Sequence, residues 1–202
     1  MYIQITTKCN MECSHCGFNC TKNGEHMSLS TWKKVLKWQG DDHISIGGGE
    51  PTIHPHFWRI LGEAIAEHSY VWLATNGSKT NTALALAKMA KKGIIGCALS
   101  LDDYHEPISQ KVVNAFTKTR KTNWGESDPD CREIRNVQRI IASGRAWNWG
   151  EEGCVCEEII VKPWGEIKAC GCDDAPSFGT IENPQIPSTW EHGNCWKNQE
   201  DE

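Results

Sequence analysis

Residues 43–75, HISIGGGEPTIHPHFWRILGEAIAEHSYVWLAT, carry the pattern on which the fold turns. HISIGG (43–48) reads as a strand and YVWLAT (70–75) as another. Between them a helix beginning near His54-Pro55 sets Phe57, Ile60, Leu61, Ala64 and Ile65 in one apolar stripe. Working outward, YIQIT (2–6) is an earlier strand, followed by a cysteine-rich loop and a helix over 29–38. That helix turns Leu29, Trp32, Val35 and Leu36 to one face, with Ser28 or Ser30 as its cap and Gly40 beyond its end. Downstream, a helix over 82–92 closes at Gly93, GIIGCALSL (93–101) is a fourth strand, and 109–120 is a weaker helix around Val112, Val113 and Phe116. Strand and helix at this rhythm mean βαβ units and a parallel sheet, open or closed into a barrel. The rhythm fails after about residue 125, where CREIRNV and RIIAS are further strand candidates. EIIVKPWGEIKAC (158–170) then reads as a β-hairpin turning at Pro163-Trp164-Gly165. A boundary near 145–153 divides a barrel-like part, 1–150, from a small cysteine-bearing part, 151–202.

A chain of 202 residues is one domain, or one with an appendage, at about 150 residues per domain. Hydrophobic residues at 39% and charged residues at 23% describe a soluble globular protein. No apolar run approaches the ~20 residues of a membrane span, and MYIQITTKC has no signal-peptide pattern. A net charge of −5 argues against a large nucleic-acid footprint. Eleven cysteines in a chain without an export signal point to a cytoplasmic metalloprotein, because reduced thiols at close spacing bind metal before they pair.

Cys9, Cys13 and Cys16 are spaced C-x3-C-x2-C directly after the first strand. Three thiolates in one loop suit three corners of an iron–sulfur cube; a zinc site would draw its fourth ligand from Cys20 or His15. Gly47-Gly48-Gly49-Glu50-Pro51-Thr52 ends the second strand. No Lys-Ser/Thr pair follows, so it is no phosphate loop; it reads as a glycine turn with one carboxylate ready for an ammonium group. Strand three ends in Ala74-Thr75-Asn76-Gly77-Ser78 and strand four in Ser100-Leu101-Asp102-Asp103. Working residues of an α/β barrel sit where strands end, so these segments converge on one mouth, although each is also ordinary turn chemistry.

The cysteine loop after strand one, followed by Gly-Gly-Glu-Pro after strand two, resembles the radical S-adenosylmethionine (SAM) enzymes over residues 1–145. The resemblance implies that Cys9, Cys13 and Cys16 ligate a 4Fe–4S cluster whose open iron chelates SAM. It implies that Gly48, Gly49 and Glu50 hold the SAM ammonium, and that Thr75, Asn76, Ser100 and Asp102 line its ribose and carboxylate. Its chemistry would be reductive cleavage of SAM to a 5′-deoxyadenosyl radical, with an external one-electron donor of flavodoxin or ferredoxin type. The fold it implies is an incomplete (β/α) barrel of five to six parallel strands, since a full barrel needs about 250 residues.

Cys154, Cys156, Cys170 and Cys172 flank the hairpin, and the run C-x10-Gly165-x4-C is similar to the opening of the SPASM/Twitch extension. That likeness implies a second, auxiliary Fe–S cluster; four-cysteine zinc is the alternative, with Cys195 a possible substitute for Cys156. Among enzymes with such tails the leading substrate is a peptide or protein. Nucleotide or nucleic-acid modification, glycyl-radical activation and a non-catalytic metal-bearing binding module are the rival readings. Cys97 reads as a small buried hydrophobe, Cys20 and Cys131 have no evident partner, and His54 and His56 read as surface capping residues. Tyr104, His105 and Glu106 fit either a substrate face or plain loop polarity.

Overall fold

A computed structural model describes residues 1–38, 43–118, 129–137, 139–151, 158–172 and 174–190. Its frame is one sheet in the order β5-β4-β3-β2-β1-β6-β7-β8-β9. β1 (Tyr2–Thr6), β2 (His43–Gly48), β3 (Tyr70–Thr75), β4 (Gly96–Ser100) and β5 (Arg132–Arg135) are parallel, each to its neighbour. β6 (Ile160–Val161) adds a sixth parallel strand on the other side of β1, with Tyr2 opposite Ile160. Among the described residues the row ends at β5 and β9 without closing, so the barrel is incomplete, as expected.

β1 lies at the interior of this row, and Ile3, Gln4, Ile5 and Thr6 are all fully buried. Parallel strands covered on both faces are expected to read this way. The four helices α1 (Leu29–Trp38), α2 (Phe57–Glu67), α3 (Thr80–Lys91) and α4 (Gln110–Phe116) follow β1 to β4 in turn. Their stripes (Trp32 and Val35, Ile60 and Leu61, Leu86 and Ala90, Val112 and Phe116) join the strand side chains in one core. Ser28 Oγ accepts from the Thr31 backbone N–H at 3.0 Å and caps α1. Cys97 is buried in that core, as its apolar strand implied.

Some local details differ from the sequence reading. A short 3-10 turn at Pro51–Ile53 precedes α2, and the helix itself begins only at Phe57. His54 is buried, not on the surface: its Nε2 lies 2.9 Å from the Met27 carbonyl, and its Nδ1 accepts from the His56 N–H. RIIAS makes only an isolated bridge, Ile141 to Glu151, because the chain turns at Gly144–Ala146 just beyond. The hairpin forms where expected: β6 and β7 (Glu166–Lys168) are antiparallel, and Gly165 takes φ +89° in the turn. β8 (Ser177–Thr180) and β9 (Asn183–Pro184) extend it as antiparallel strands. The hairpin thus continues the barrel sheet through β6, while residues 152–157, which lead into it, lie outside the described residues.

Candidate active site

The C-terminal ends of the parallel strands surround a cleft enclosing about 630 Å³, part of it open to solvent. Cys9, Cys13 and Cys16 line it together with Gly48, Gly49, Glu50, Thr75, Asn76 and Ser100. Asp102 is not in the lining but holds a residue that is: its Oδ1 accepts from His105 Nδ1 at 2.8 Å and from the Tyr104 N–H at 3.0 Å. Burial works against ionisation of Asp102, yet these hydrogen bonds keep its carboxyl below the usual range.

The loop that carries the thiols is pinned to the strand ends through its backbone. Cys9 N–H donates to Thr21 O, and Glu50 N–H donates to Lys8 O, which draws β2's end onto the start of the loop. The close approach needs glycine. Gly48 has φ +148°, and a Cβ there would overlap the Thr6 carbonyl; one at Gly49 would overlap Lys8 and crowd Cys9 Cβ.

Glu50 is buried and its carboxylate is saturated with donors. Oε1 accepts from Thr52 N–H (3.1 Å), Thr52 Oγ1 (2.5 Å) and Thr75 Oγ1 (2.8 Å), and Oε2 accepts from Asn76 N–H (2.7 Å). Burial raises its pKa, and those four hydrogen bonds oppose the rise. One side chain therefore ties the end of β2 to the end of β3. Asn76 carries the tie onward: its Nδ2 donates to Asn10 Oδ1 at 3.2 Å and lies 3.9 Å from Cys9 Sγ. Asn10, unmarked by any motif in the sequence, is the hinge of this contact and also accepts from Ser78 Oγ.

Burial pushes the Cys9 thiol up to about 11 and raises that of Cys13. Cys16 and Cys20 act as a pair: a hydrogen bond from Cys20 lowers Cys16, and the same bond raises Cys20. Cys20 lines the cleft as well, and Gln4 Nε2 donates to its sulfur at 3.7 Å. Proximity in sequence to the other three thiols was its only signal.

A zinc ion with ~2.3 Å bonds to sulfur draws its thiolates to within about 3.8 Å of each other. Among the described residues only His15, Asp102 and His105 bring three ligating atoms within 4.8 Å of one another. Among the described residues no three of the loop thiols meet that spacing, and Cys9, Cys13 and Cys16, which share one cleft, are the donors that would hold a multinuclear centre. The spacing of the His15 group follows from the Asp102–His105 hydrogen bond and an edge-on contact of the His15 and His105 imidazoles, centroids 5.1 Å apart.

In the tail, Cys170 is buried and Cys172 lines a second, apolar cavity with Phe18, Ile140 and Ile141. Cys154 and Cys156, the other half of the expected tail site, lie outside the described residues, as does Cys195.

The sequence profile described as "Radical SAM superfamily" matches residues 3–137. Mycofactocin maturase MftC of Mycobacterium ulcerans is 32% identical over 117 residues, which are 55% of this chain and 31% of that protein. PqqA peptide cyclase of Streptomyces rochei is 26% identical over 126 residues, 60% of this chain and 34% of that protein. The chain thus spans about a third of the length of these curated relatives. A solved structure, polyhistidine-tagged anSMEcpe with bound AdoMet, covers 98% of this chain and 81% of its own with a TM-score of 0.58. At 15% identity that likeness is one of fold.

Proposed function

The chain belongs to the radical SAM superfamily, and from that premise we propose that it cleaves SAM reductively and abstracts hydrogen from a peptide or protein substrate. The observation that carries the proposal is the meeting of three cysteine thiols with the Glu50-tied ends of β2 and β3 in one cleft. When bound, a 4Fe–4S cluster on Cys9, Cys13 and Cys16 supplies the electron that generates the 5′-deoxyadenosyl radical. The chain's own residues orient and exclude water. Gly48 and Gly49 present backbone at close range to the SAM ammonium, and Glu50 sets the shape of that segment while placing negative charge behind it. Thr75, Asn76 and Ser100 line the ribose and carboxylate side, and Asp102 acts there through His105. A peptide substrate is supported by the relative named a peptide cyclase, and by an open sheet row that leaves room for a large substrate.

Three further parts belong to the same proposal. Cys170 and Cys172, with Cys154 and Cys156, hold an auxiliary Fe–S cluster, so that residues 151–202 work as a Twitch-like unit beside the barrel of 1–150. A flavodoxin or ferredoxin delivers the electron. A cytoplasmic setting fits eleven cysteines, and no helix among the described residues is long and apolar enough to cross a membrane.

Anaerobically reconstituted protein given dithionite and SAM is expected to release 5′-deoxyadenosine, and Cys13→Ala to release none. Equal release by both would reject the reading, because two thiolates cannot leave one defined open iron.

A further inference from the structure

A segment from far along the chain is built against the cysteine loop. Arg145 Nε donates to the Cys13 carbonyl at 2.8 Å, and its Nη1 donates to the Cys20 carbonyl at 2.6 Å. Its backbone N–H donates to the Cys16 carbonyl at 3.1 Å. Beside it, Ser143 Oγ donates to the Gly17 carbonyl at 3.0 Å. Gly144 takes φ +54°, and a Cβ there would overlap the carbonyls of Cys16 and Gly17, so only glycine lets the segment come this close. Four carbonyls of the ligand loop, at 13, 16, 17 and 20, are thus satisfied from residues 143–145. The family match ends at residue 137, before this segment starts.

Two physical consequences follow. A planar guanidinium that bridges two carbonyls fixes their separation, which a flexible ammonium cannot do. It also sets a permanent positive charge directly against the backbone of the loop that carries the thiols, at the Cys13 and Cys20 carbonyls. Iron–sulfur clusters respond to nearby charge and hydrogen bonding in their reduction potential.

We propose that Arg145 is a positioning residue for the reaction centre. It locks Cys13, Cys16 and Cys20 into one loop geometry, and its charge raises the reduction potential of the cluster held there. The second half rests on the cluster assigned above; the first half does not.

The test uses full-length wild type, Arg145→Met and Arg145→Lys. In cluster-free protein, hydrogen exchange over residues 13–20 should quicken at least tenfold in both variants, with exchange in β1 to β4 unchanged. In the reconstituted proteins at equal iron content, the methionine variant should be harder to reduce by about tenfold in the one-electron equilibrium, near 59 mV. The lysine variant should stay close to wild type, since it keeps the charge and loses the bridge. Unchanged exchange in the methionine variant overturns the lock, and an unchanged potential at equal iron overturns the role of charge. Wild type that takes up no iron refutes the cluster assignment instead, and the exchange comparison still decides the lock.

Discussion

Glu50 shows how one buried side chain organises a mouth built from several strands. Its two oxygens face four donors, and the amide of a glutamine in its place would point N–H groups at one set of them. A hydrogen bond to a charged group is worth about 1.5–3 kcal/mol, and the SAM ammonium would lose the charge behind it as well. Glu50→Gln is expected to weaken SAM binding about ten- to a hundredfold at unchanged iron content, measured by titration of the reconstituted protein. An unaltered affinity would remove Glu50 from the SAM site. The histidines make a second prediction. Burial lowers the pKa of His15, His26 and His54 below 6.5, so the folded chain binds fewer protons than the unfolded chain just under that pH. Their contribution to stability is complete above pH 6.5 and is lost as pH falls toward the folded values. The melting temperature of cluster-free protein should therefore drop between about pH 7.5 and 5.5; a flat profile would contradict the assigned burial.

At the scale of elements, the strand ends and the helix interiors ask opposite things of glycine. Gly48 ends β2 in a left-handed conformation against β1, so Gly48→Ala meets both backbone strain and the Thr6 carbonyl. Strain of this kind costs about 1–3 kcal/mol, before any shift of the cysteine loop that follows β1. Gly62 sits exposed within α2 with open space where its Cβ would be. Gly62→Ala should stabilise by about 1 kcal/mol, raising the melting temperature by roughly 2–4 °C. A thermal melt of both variants checks the pair: a Gly48→Ala protein as stable as Gly62→Ala, with full iron uptake, would show that the strand junction is looser than described. The motif made Gly48 visible in the sequence because its neighbours carry chemistry. Gly144 stands in no motif, and its close approach to Cys16 connects residues more than a hundred positions apart.

At the scale of the whole molecule, β6 joins the hairpin to the barrel by pairing with β1, so the loop of Cys9, Cys13 and Cys16 and the segment of Cys170 and Cys172 each follow a strand of one continuous sheet. Removing the first group should leave the second intact, because the sheet pairing of β6 involves none of Cys9, Cys13 and Cys16. The Cys9/Cys13/Cys16 triple alanine variant, reconstituted without air, is expected to keep about four irons per chain if the tail holds a cube. Iron-free protein carrying one zinc would make the tail a structural staple and reject the auxiliary cluster.

Local pattern was enough for the alternating strands and helices, the hairpin turn at Gly165 and the C-x3-C-x2-C loop, because these depend on neighbours within a few residues. It was also enough to place the motifs at one mouth, since parallel strands all end on the same side. The buried role of His54, the pairing of Cys20 with Cys16, the link through Asn10 and the bridge from Arg145 were decided only in the folded chain. Except for the Cys16–Cys20 pair, which lies within one loop, each is a contact whose partners are set by how distant segments pack, and separation along the chain carries no trace of it. The same holds for β8 and β9: strands of four and two residues have too little periodicity to read, and they exist because β7 offers an edge to β8 and β8 in turn to β9.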